Sequence, residues 1–493
     1  MDRDKRILGL YLTSIIIGAG ILALPLKAAK IGLIPMLLLI VFFARFFYEA
    51  YKRIIEASLG LQHVDLSTYD EVLKKAGLGL FGRLSLEYGM LIYVIPADVV
   101  YTLFSATRFY KLAELSRQSK GFLYTFILFA ILGAIIAILF IYRSGIIAKF
   151  FALLAGRSVS ILVLYALRLS RTAGLILGST LFMLVMFLGE YFPEILTGNV
   201  EVSEDFEGIH PRHYVAALYT VFKILFIIAI GLLAMIIISY YHALPKDVNR
   251  LSKDRLILLS GIGVTAFAFV GTGVYNIVVY DRLKKGDKRK GVLFLGVAIP
   301  ATMYLFFTIS ITAFVDNALL LAADKAMEPS LLALAIKLEE LGISVSTGTL
   351  IGLAGLFTLL AVSMSYLGFT DTLGGRLARY MPYNISRALS SLIATLIAIS
   401  IVLFSPSLSA TGILDIAGSS GGILFLLFLP FLLLRRKKDF YLAIFALLLI
   451  PLANLPAMLS GDLTSALTAA VSSVIALILG LLTIYEFRKS GRA

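Results

Sequence analysis

Residues 15–32 of the chain read IIIGAGILALPLKAAKIG, an apolar run that is interrupted by the triplet Gly18-Ala19-Gly20. A glycine inside a helix costs about 1 kcal/mol relative to alanine, so the triplet predicts a weak point in an otherwise helical segment. A broken helix frees N–H groups at the start of one half and carbonyl groups at the end of the other. Within a membrane, such groups persist only where they are buried in protein or line a cavity.

The composition around this stretch is that of an integral membrane protein. Of the 493 residues, 60% are apolar and 15% are charged, whereas soluble chains are roughly 45–50% apolar and about 25% charged. The net charge of +14 lies mostly in short loops between apolar runs, which indicates membrane orientation and no nucleic-acid partner. The chain has no cysteine, so disulfides, thiol catalysis and cysteine–zinc sites are excluded.

The apolar runs predict an all-α polytopic membrane protein. A span needs about 20 apolar residues. By that measure there are about fourteen spans, or twelve without the two weakest runs, 146–168 and 172–192. The predicted spans lie near 7–31, 33–57, 84–111, 121–142, 146–168, 172–192, 213–241, 256–281, 292–315, 348–374, 387–404, 411–434, 439–459 and 463–486.

The distribution of Lys and Arg among the loops predicts the orientation. Basic residues concentrate in alternate loops after residue 281, in the segments 282–290, 376–387, 435–438 and 488–492. Because cytoplasmic loops carry an excess of Lys and Arg, both termini are expected in the cytoplasm. We therefore expect a multi-pass protein of the plasma membrane, with the lipid bilayer as its surroundings.

A second glycine cluster lies in another predicted span, where residues 268–274 read AFVGTGV. The start of a half-helix favours a carboxylate, and the end of a half-helix favours a cation or an ammonium. Paired interrupted helices in two halves of a chain point to the central binding site of a transporter. The alternative interpretation is that both clusters only allow close helix packing.

Four stretches resemble one family of transporters. Residues 15–32 resemble the first helix of the amino acid/polyamine/organocation superfamily, with most similarity to the aromatic and hydroxy amino acid permeases and the amino acid/auxin permeases. The stretch LSTYDEVLKKAGLGLFGRL, at 66–84, resembles their loop between helices two and three. TAFAFVGTGVYNIVVYDRLKKGDKRKG, at 265–291, resembles their helix six and the basic loop after it. FTLLAVSMSYLGFTDTLGGRL, at 357–377, resembles their helix eight.

The resemblance implies a LeuT-like fold of five-plus-five inverted repeats, in which helices 1 and 6 are discontinuous. It implies one transmembrane domain over 1–493. Within it, 1–142 would begin the first repeat, 143–255 would hold helix 5 and an extra hairpin, 256–434 would form the second repeat, and 439–486 would form two peripheral helices.

The resemblance also implies the site residues. Backbone groups of helix 1 would bind the carboxylate of a substrate, and helix 6 would receive its ammonium and side chain. Two serines of helix 8 fall where sodium-coupled relatives place hydroxyl ligands. The substrate-binding candidates are Gly18, Ala19, Gly20, Ile21, Phe269, Gly271, Thr272 and Gly273, and the two serines are Ser363 and Ser365.

Three charged residues within predicted spans are further candidates for ion coupling. They are Lys223, Arg157 and Asp98. A charge at the bilayer centre costs at least about 2.5–3.5 kcal/mol, so such residues are functional by default. The family often carries a basic residue in helix five, and both Lys223 and Arg157 fit that description, so either 213–241 or 146–168 could be helix five. The alternative for Asp98 and Lys223 is a buried structural pair, or a lysine whose side chain extends to the membrane interface.

The sequence as a whole predicts a secondary active transporter, not an enzyme. Its substrate would be an amino acid, aromatic or of another bulky neutral kind, moved by alternating access. Proton coupling is the first expectation and sodium coupling the second, and no organic cofactor is expected. Rival functions are a membrane enzyme, which would need clustered catalytic carboxylates or histidines that the apolar runs lack, and a channel or sensor on the same scaffold.

Overall fold

The computed structural model is all-helical over the residues that it describes. These are 3–57, 72–74, 76–141, 145–197, 217, 220–232, 235, 255–270, 288–340, 383–404, 409–460 and 463–490, with single positions between 355 and 377. The helices are α1 Arg3–Ile16, α2 Ala19–Ile31, α3 Leu33–Ala57, α4 Leu80–Gln118, α5 Lys120–Phe140, α6 Gly145–Leu167, α7 Arg171–Thr197, α8 Thr220–Leu232, α9 Arg255–Leu259, α10 Gly261–Phe269, α11 Lys288–Thr312, α12 Asn317–Lys325, α13 Ser330–Glu340, α14 Tyr383–Phe404, α15 Ala410–Ile416, α16 Leu429–Leu432, α17 Lys437–Met458 and α18 Leu463–Ser490.

Within this described part, nine helices are long and apolar enough to cross a membrane, or ten if α1 and α2 form one bent span. The predicted spans 33–57, 121–142 and 439–459 coincide closely with α3, α5 and α17. The predicted total of about fourteen is not decided by these helices, because 213–241, 256–281 and 348–374 lie partly outside the described residues. The chain is thus a multi-pass membrane protein.

The first span bends at the glycine triplet. α1 ends at Ile16, α2 begins at Ala19, and the two axes differ by 49°. Gly20 allows α2 to meet α10 at backbone distance, since a Cβ there would lie 2.7 Å from both Cα and Cβ of Ala268. Close contact with α10 therefore requires glycine at this position.

α4 is the longest of the described helices and lies within the core. It is 39 residues long and contains Pro96, and most of its middle is buried. It packs against α7, α14, α15 and α18, as well as against a π-helical segment at 417–422. That segment also packs on α10, where a Cβ on Gly418 would lie 1.9 Å from the carbonyl oxygen of Gly263. The π-helical segment thus packs between α4 and α10.

Two pairs of helices lie at the margin of this core. α5 packs mainly on α6 and leaves most of its large apolar side chains exposed, as a lipid-facing helix does. α12 and α13 pack at the end of α2, and most of the leucines of α13 are buried. The end of the bundle at which α2 meets α12 and α13 is called the α12–α13 end.

The domain division inferred from the sequence places an extra hairpin within 143–255. Among the described helices, α6 packs on α5, α7 and α4, and α7 packs on α6, α4 and α14, so these contacts do not single out an added hairpin. The assignment of these helices to two repeats stays a prediction, and the predicted interruption of helix 6 falls on 271–274, outside the described residues.

Candidate functional site

A lysine ammonium lies at the end of α1. Nζ of Lys223, in α8, donates to the carbonyl of Ser14 at 2.9 Å and to the carbonyl of Ile17 at 2.7 Å. Lys223 is fully buried. The neighbouring Thr220 donates to the carbonyl of Leu10 at 2.8 Å, so α8 lies along α1 over two turns. The positive charge therefore sits at the carbonyl end of a half-helix, where the helix dipole favours a cation.

Two other side chains complete this end of α1. Oγ of Ser365 donates to the carbonyl of Ile15 at 3.0 Å. The hydroxyl of Tyr304, in α11, contacts the carbonyls of Ile16 and Ala268 at 2.6 and 2.7 Å. The carbonyls at the end of α1 are thus bound by the chain itself.

The beginning of α2 presents N–H groups instead. Gly18 caps α2 without any side-chain hydrogen bond. The N–H groups of Ala19, Gly20 and Ile21 belong to the first turn, where no acceptor exists within the helix. A Cβ on Gly18 would lie 2.5 Å from Oγ of Ser365 and 2.7 Å from the hydroxyl of Tyr101, so glycine leaves these hydroxyls room beside the turn.

The end of α10 lies opposite this turn and is surrounded by tyrosines. The carbonyl of Phe269 accepts from Tyr51 at 2.6 Å, and that of Phe267 accepts from Tyr93 at 3.3 Å. The ring of Phe269 is buried and lies edge-on to Tyr304, with centroids 5.2 Å apart. The predicted partners Gly271, Thr272 and Gly273 lie outside the described residues, as does Ser363.

The structure separates the three charged candidates. Lys223 lies at the break, whereas Arg157 is buried between α6 and α7, with Nη2 3.7 Å from Sδ of Met186. Asp98 is buried in α4, one turn before Tyr101. Of the two basic residues, it is therefore Lys223 that the structure brings together with Gly18 and Ser365.

Sequence reasoning missed the tyrosines of the site. Their signal is a polar hydroxyl within an apolar run, because a buried tyrosine hydroxyl usually finds a hydrogen-bond partner. Such a signal does not say which carbonyl the hydroxyl binds. The residues concerned are Tyr51, Tyr93, Tyr101 and Tyr304.

Two ion pairs connect α2 to neighbouring helices near the α12–α13 end. Lys27 pairs with Asp415, which also accepts from the backbone N–H of Val264 in α10 at 3.0 Å. Lys30 pairs with Asp324 of α12 at 2.5 Å. The second half of the bent span is thus tied both to α15 and to α12.

The comparisons with known proteins concern the fold. No protein-family model matches the chain, and no curated protein matches its sequence. A crystal structure of the manganese transporter of Eremococcus coleocola matches with a TM-score of 0.55 at 14% identity, over 99% of this chain and 95% of that one. A mutant of the same transporter gives a TM-score of 0.53 at 12% identity. Mhp1, a nucleobase-cation-symport-1 family transporter, gives 0.46 at 12% identity.

The chain therefore shares the overall fold of this manganese transporter. The matched structures are of transporters and not of enzymes, in agreement with the expectation from the sequence. The likeness to the amino acid/polyamine/organocation superfamily remains one of sequence motifs. The shared fold identifies neither the substrate nor the coupling ion.

Proposed function

We propose that the chain is a secondary transporter that moves an amino acid by alternating access around the break between α1 and α2, coupled to protons through Lys223. The transporter fold supports the general mechanism. The observation that carries the proposal is the position of the Lys223 ammonium, 2.9 and 2.7 Å from the carbonyls of Ser14 and Ile17.

The substrate part of the proposal rests on the first turn of α2. Its N–H groups and the positive end of the helix dipole favour a carboxylate. The hydroxyls of Tyr101 and Ser365 lie beside Gly18 and can add hydrogen bonds. An amino acid carries the carboxylate that this arrangement favours, and the aromatic rings around Phe269 suit an apolar side chain.

The coupling part rests on the carbonyl end of α1. A sodium ion bound there would need the carbonyl oxygens that the ammonium of Lys223 already contacts. When Lys223 loses its proton, it loses its charge and one donor, so its hold on α1 weakens. Proton binding would then favour the packing described here, and proton release would favour a second packing.

Manganese transport is less well supported than amino acid transport. The segment from Thr13 to Pro25 contains no carboxylate, imidazole or thioether. Carboxylate and carbonyl oxygens and imidazole nitrogens are the usual ligands of such divalent cations. Within the described residues, no group of three or more His, Asp or Glu side chains is placed to hold a metal ion.

Uptake into proteoliposomes tests the proposal. The twenty amino acids, labelled and pooled, are offered under an imposed proton gradient, under a sodium gradient and with neither, and Mn²⁺ is offered under the same conditions. We expect saturable accumulation of one pool under the proton gradient, abolished by a protonophore and absent from liposomes without protein.

Two results would contradict the proposal. Accumulation under a sodium gradient alone would remove Lys223 as the coupling group. No accumulation of any pool, by protein shown to be folded and inserted, would remove the amino acid as substrate; accumulation of Mn²⁺ in that case would assign a metal cargo.

A further inference from the structure

Arg108 of α4 is a fully buried cation that has no hydrogen-bond acceptor and no ion-pair partner in the described part of the chain. Its side chain is 0% exposed, and its three guanidinium nitrogens have no hydrogen-bond acceptor among the described residues. An arginine keeps its charge under all ordinary conditions. Buried charges in proteins are nearly always paired or hydrogen-bonded, because burial of an isolated charge is very unfavourable. The side chain therefore offers a positive charge and a planar set of donors that no group in the described segments accepts from.

The charges around Arg108 do not neutralise it. Glu328, between α12 and α13, acts on Arg108 through its charge but makes no hydrogen bond with it. Oε1 of Glu328 lies 4.0 Å from Nη2 of Arg171 instead. The other charges that act on Glu328 are those of Lys111 and Glu114. Within this group, three cations face two carboxylates, so one positive charge is uncompensated.

Arg108 lies on the face of α4 that also carries Tyr101, a residue at the break of the first span. Arg108 follows Tyr101 by seven residues, which is two helical turns, or about 10.5 Å along the same face. The Tyr101 hydroxyl lies beside Gly18. Ser105 lies between them on this face, and its hydroxyl is also buried without a partner in the described part of the chain. Ser105 and Arg108 are thus two buried polar side chains without a hydrogen-bond partner among the described residues, and they share one face of α4 between the α12–α13 end and the site.

We propose that Arg108 forms a second binding site for the carboxylate of the substrate, on the α12–α13 side of the break. A guanidinium binds a carboxylate through two parallel N–H···O bonds, and the Ser105 hydroxyl can add a third. The site is enclosed in the packing described here, so the substrate reaches it when helices separate at the α12–α13 end. The proposal rests on the proposed function, because it takes an amino acid as substrate.

The position of Arg108 on one side of the break gives a directional test. Intact cells and inverted vesicles made from them present opposite ends of the bundle to the labelled amino acid pools. Loss of a charge-assisted hydrogen bond corresponds to about tenfold or more in affinity. For Arg108→Met we expect KM to rise by about tenfold or more on the α12–α13 side and by less than about twofold on the other side, with Arg108→Lys in between.

Arg117→Met is the matched control. Arg117 lies on the same helix nine residues later, on the opposite face, where it donates to the backbone carbonyl of Leu164 at 2.7 Å. We expect this variant to keep both KM values. Arg108→Lys also keeps the test valid if Arg108→Met fails to fold.

Three outcomes would overturn the proposal. One is unchanged KM in Arg108→Met, and another is an equal change of KM on both sides, as a purely structural role would give. The third is recovery of uptake when Glu328→Gln is added to Arg108→Met, which would identify Glu328 as the partner of Arg108.

A second measurement does not depend on transport. Sodium acetate, compared with sodium chloride at equal ionic strength, should raise the unfolding temperature of the purified wild-type protein more than that of Arg108→Met. If no amino acid is transported but acetate acts through Arg108, the proposed function fails and the carboxylate site stands. If uptake is present but neither KM nor the acetate effect depends on Arg108, only the second site fails.

Discussion

The contact between Lys223 and α1 is the single-residue feature on which coupling depends. We expect Lys223→Met to remove the pH dependence of uptake, because the ammonium that donates to the carbonyls of Ser14 and Ile17 and can exchange a proton there is then gone. The initial rate of uptake between pH 5 and 9 measures this. Arg157→Gln is the matched control, since Arg157 is also a buried cation but lies between α6 and α7. Loss of pH dependence in the control instead would assign coupling to Arg157.

Gly20 is the residue at which α2 packs directly on the backbone of α10. In Gly20→Ala the new Cβ would lie 2.7 Å from Cα of Ala268, so a backbone must move. Overpacking of this kind costs about 1–3 kcal/mol, and we expect a lower unfolding temperature together with reduced uptake. Gly291→Ala is the control, because nothing lies within 4 Å of its Cβ position. That variant should be neutral or slightly more stable, and equal loss in both variants would contradict the packing described here.

At the scale of elements, the Lys27–Asp415 pair joins α2 to α15. The two side chains are 3% and 14% exposed, so removal of one leaves the other charge buried. We expect Asp415→Leu to lower the free energy of unfolding by about 3–5 kcal/mol. Adding Lys27→Met should restore most of the loss, because no buried charge then remains unpaired. Thermal unfolding of the single and double variants in detergent measures this, and additive losses would show that the pair is not coupled.

The contact of α12 with α2 and α15 depends on the ionisation of Asp324. Burial opposes its charge, but the Lys30 ammonium and two hydrogen bonds from Thr411 outweigh burial, so the pKa of Asp324 lies below its ordinary value of 3.8. A lowered pKa in the folded state stabilises the protein above pH 3.8 and ceases to do so as the pH falls through the folded value.

The substitution Asp324→Asn tests the direction in which stability depends on pH. At neutral pH the variant should unfold at a lower temperature than the wild type, because the buried carboxylate no longer meets Lys30. The difference should shrink as the pH is lowered below 3.8. Unfolding temperatures between pH 3 and 7 measure it, with Asp316→Asn as the control on the half-exposed Asp316 carboxylate. A difference that grows toward low pH would contradict the assignment.

At the scale of the whole molecule, the absence of cysteine makes the orientation easy to measure. Lys325 at the end of α12 and Lys489 in the last turn of α18 are both exposed. The loop charges predict that they face opposite sides of the membrane. A membrane-impermeant thiol reagent added to intact cells should label Lys325→Cys and spare Lys489→Cys. The reverse pattern would invert the predicted orientation, and labelling of both would contradict the span count between them.

The sequence predicts several of the spans well, because apolar length is a local property. Apolar length defines α3, α5 and α17, and the glycine triplet begins two residues after the end of α1 at Ile16. Sequence alone could not choose between Lys223 and Arg157, because both are single basic residues in apolar runs. The choice depends on which helix lies against α1, and that is a tertiary contact.

Charges near helix ends were harder to interpret from the sequence. Asp415 resembles an interfacial carboxylate, whereas in the fold it pairs with Lys27, 388 residues away along the chain. Arg108 carries no local signal at all, since an arginine near the end of a long apolar helix usually reaches the interface. Only the packing of α4 against its neighbours reveals that this side chain is enclosed.

The hydroxyl of Tyr304 has a consequence for the speed of any rocking motion. It touches the carbonyls of both Ile16 and Ala268, but a phenol has one proton and can serve only one of these oxygens at a time. The contact between α1 and α10 is therefore held there by one hydrogen bond shared between two acceptors. When α1 and α10 move apart, the Tyr304 hydroxyl keeps its hydrogen bond to one of the two carbonyls. The activation barrier of the motion therefore does not include complete loss of this hydrogen bond.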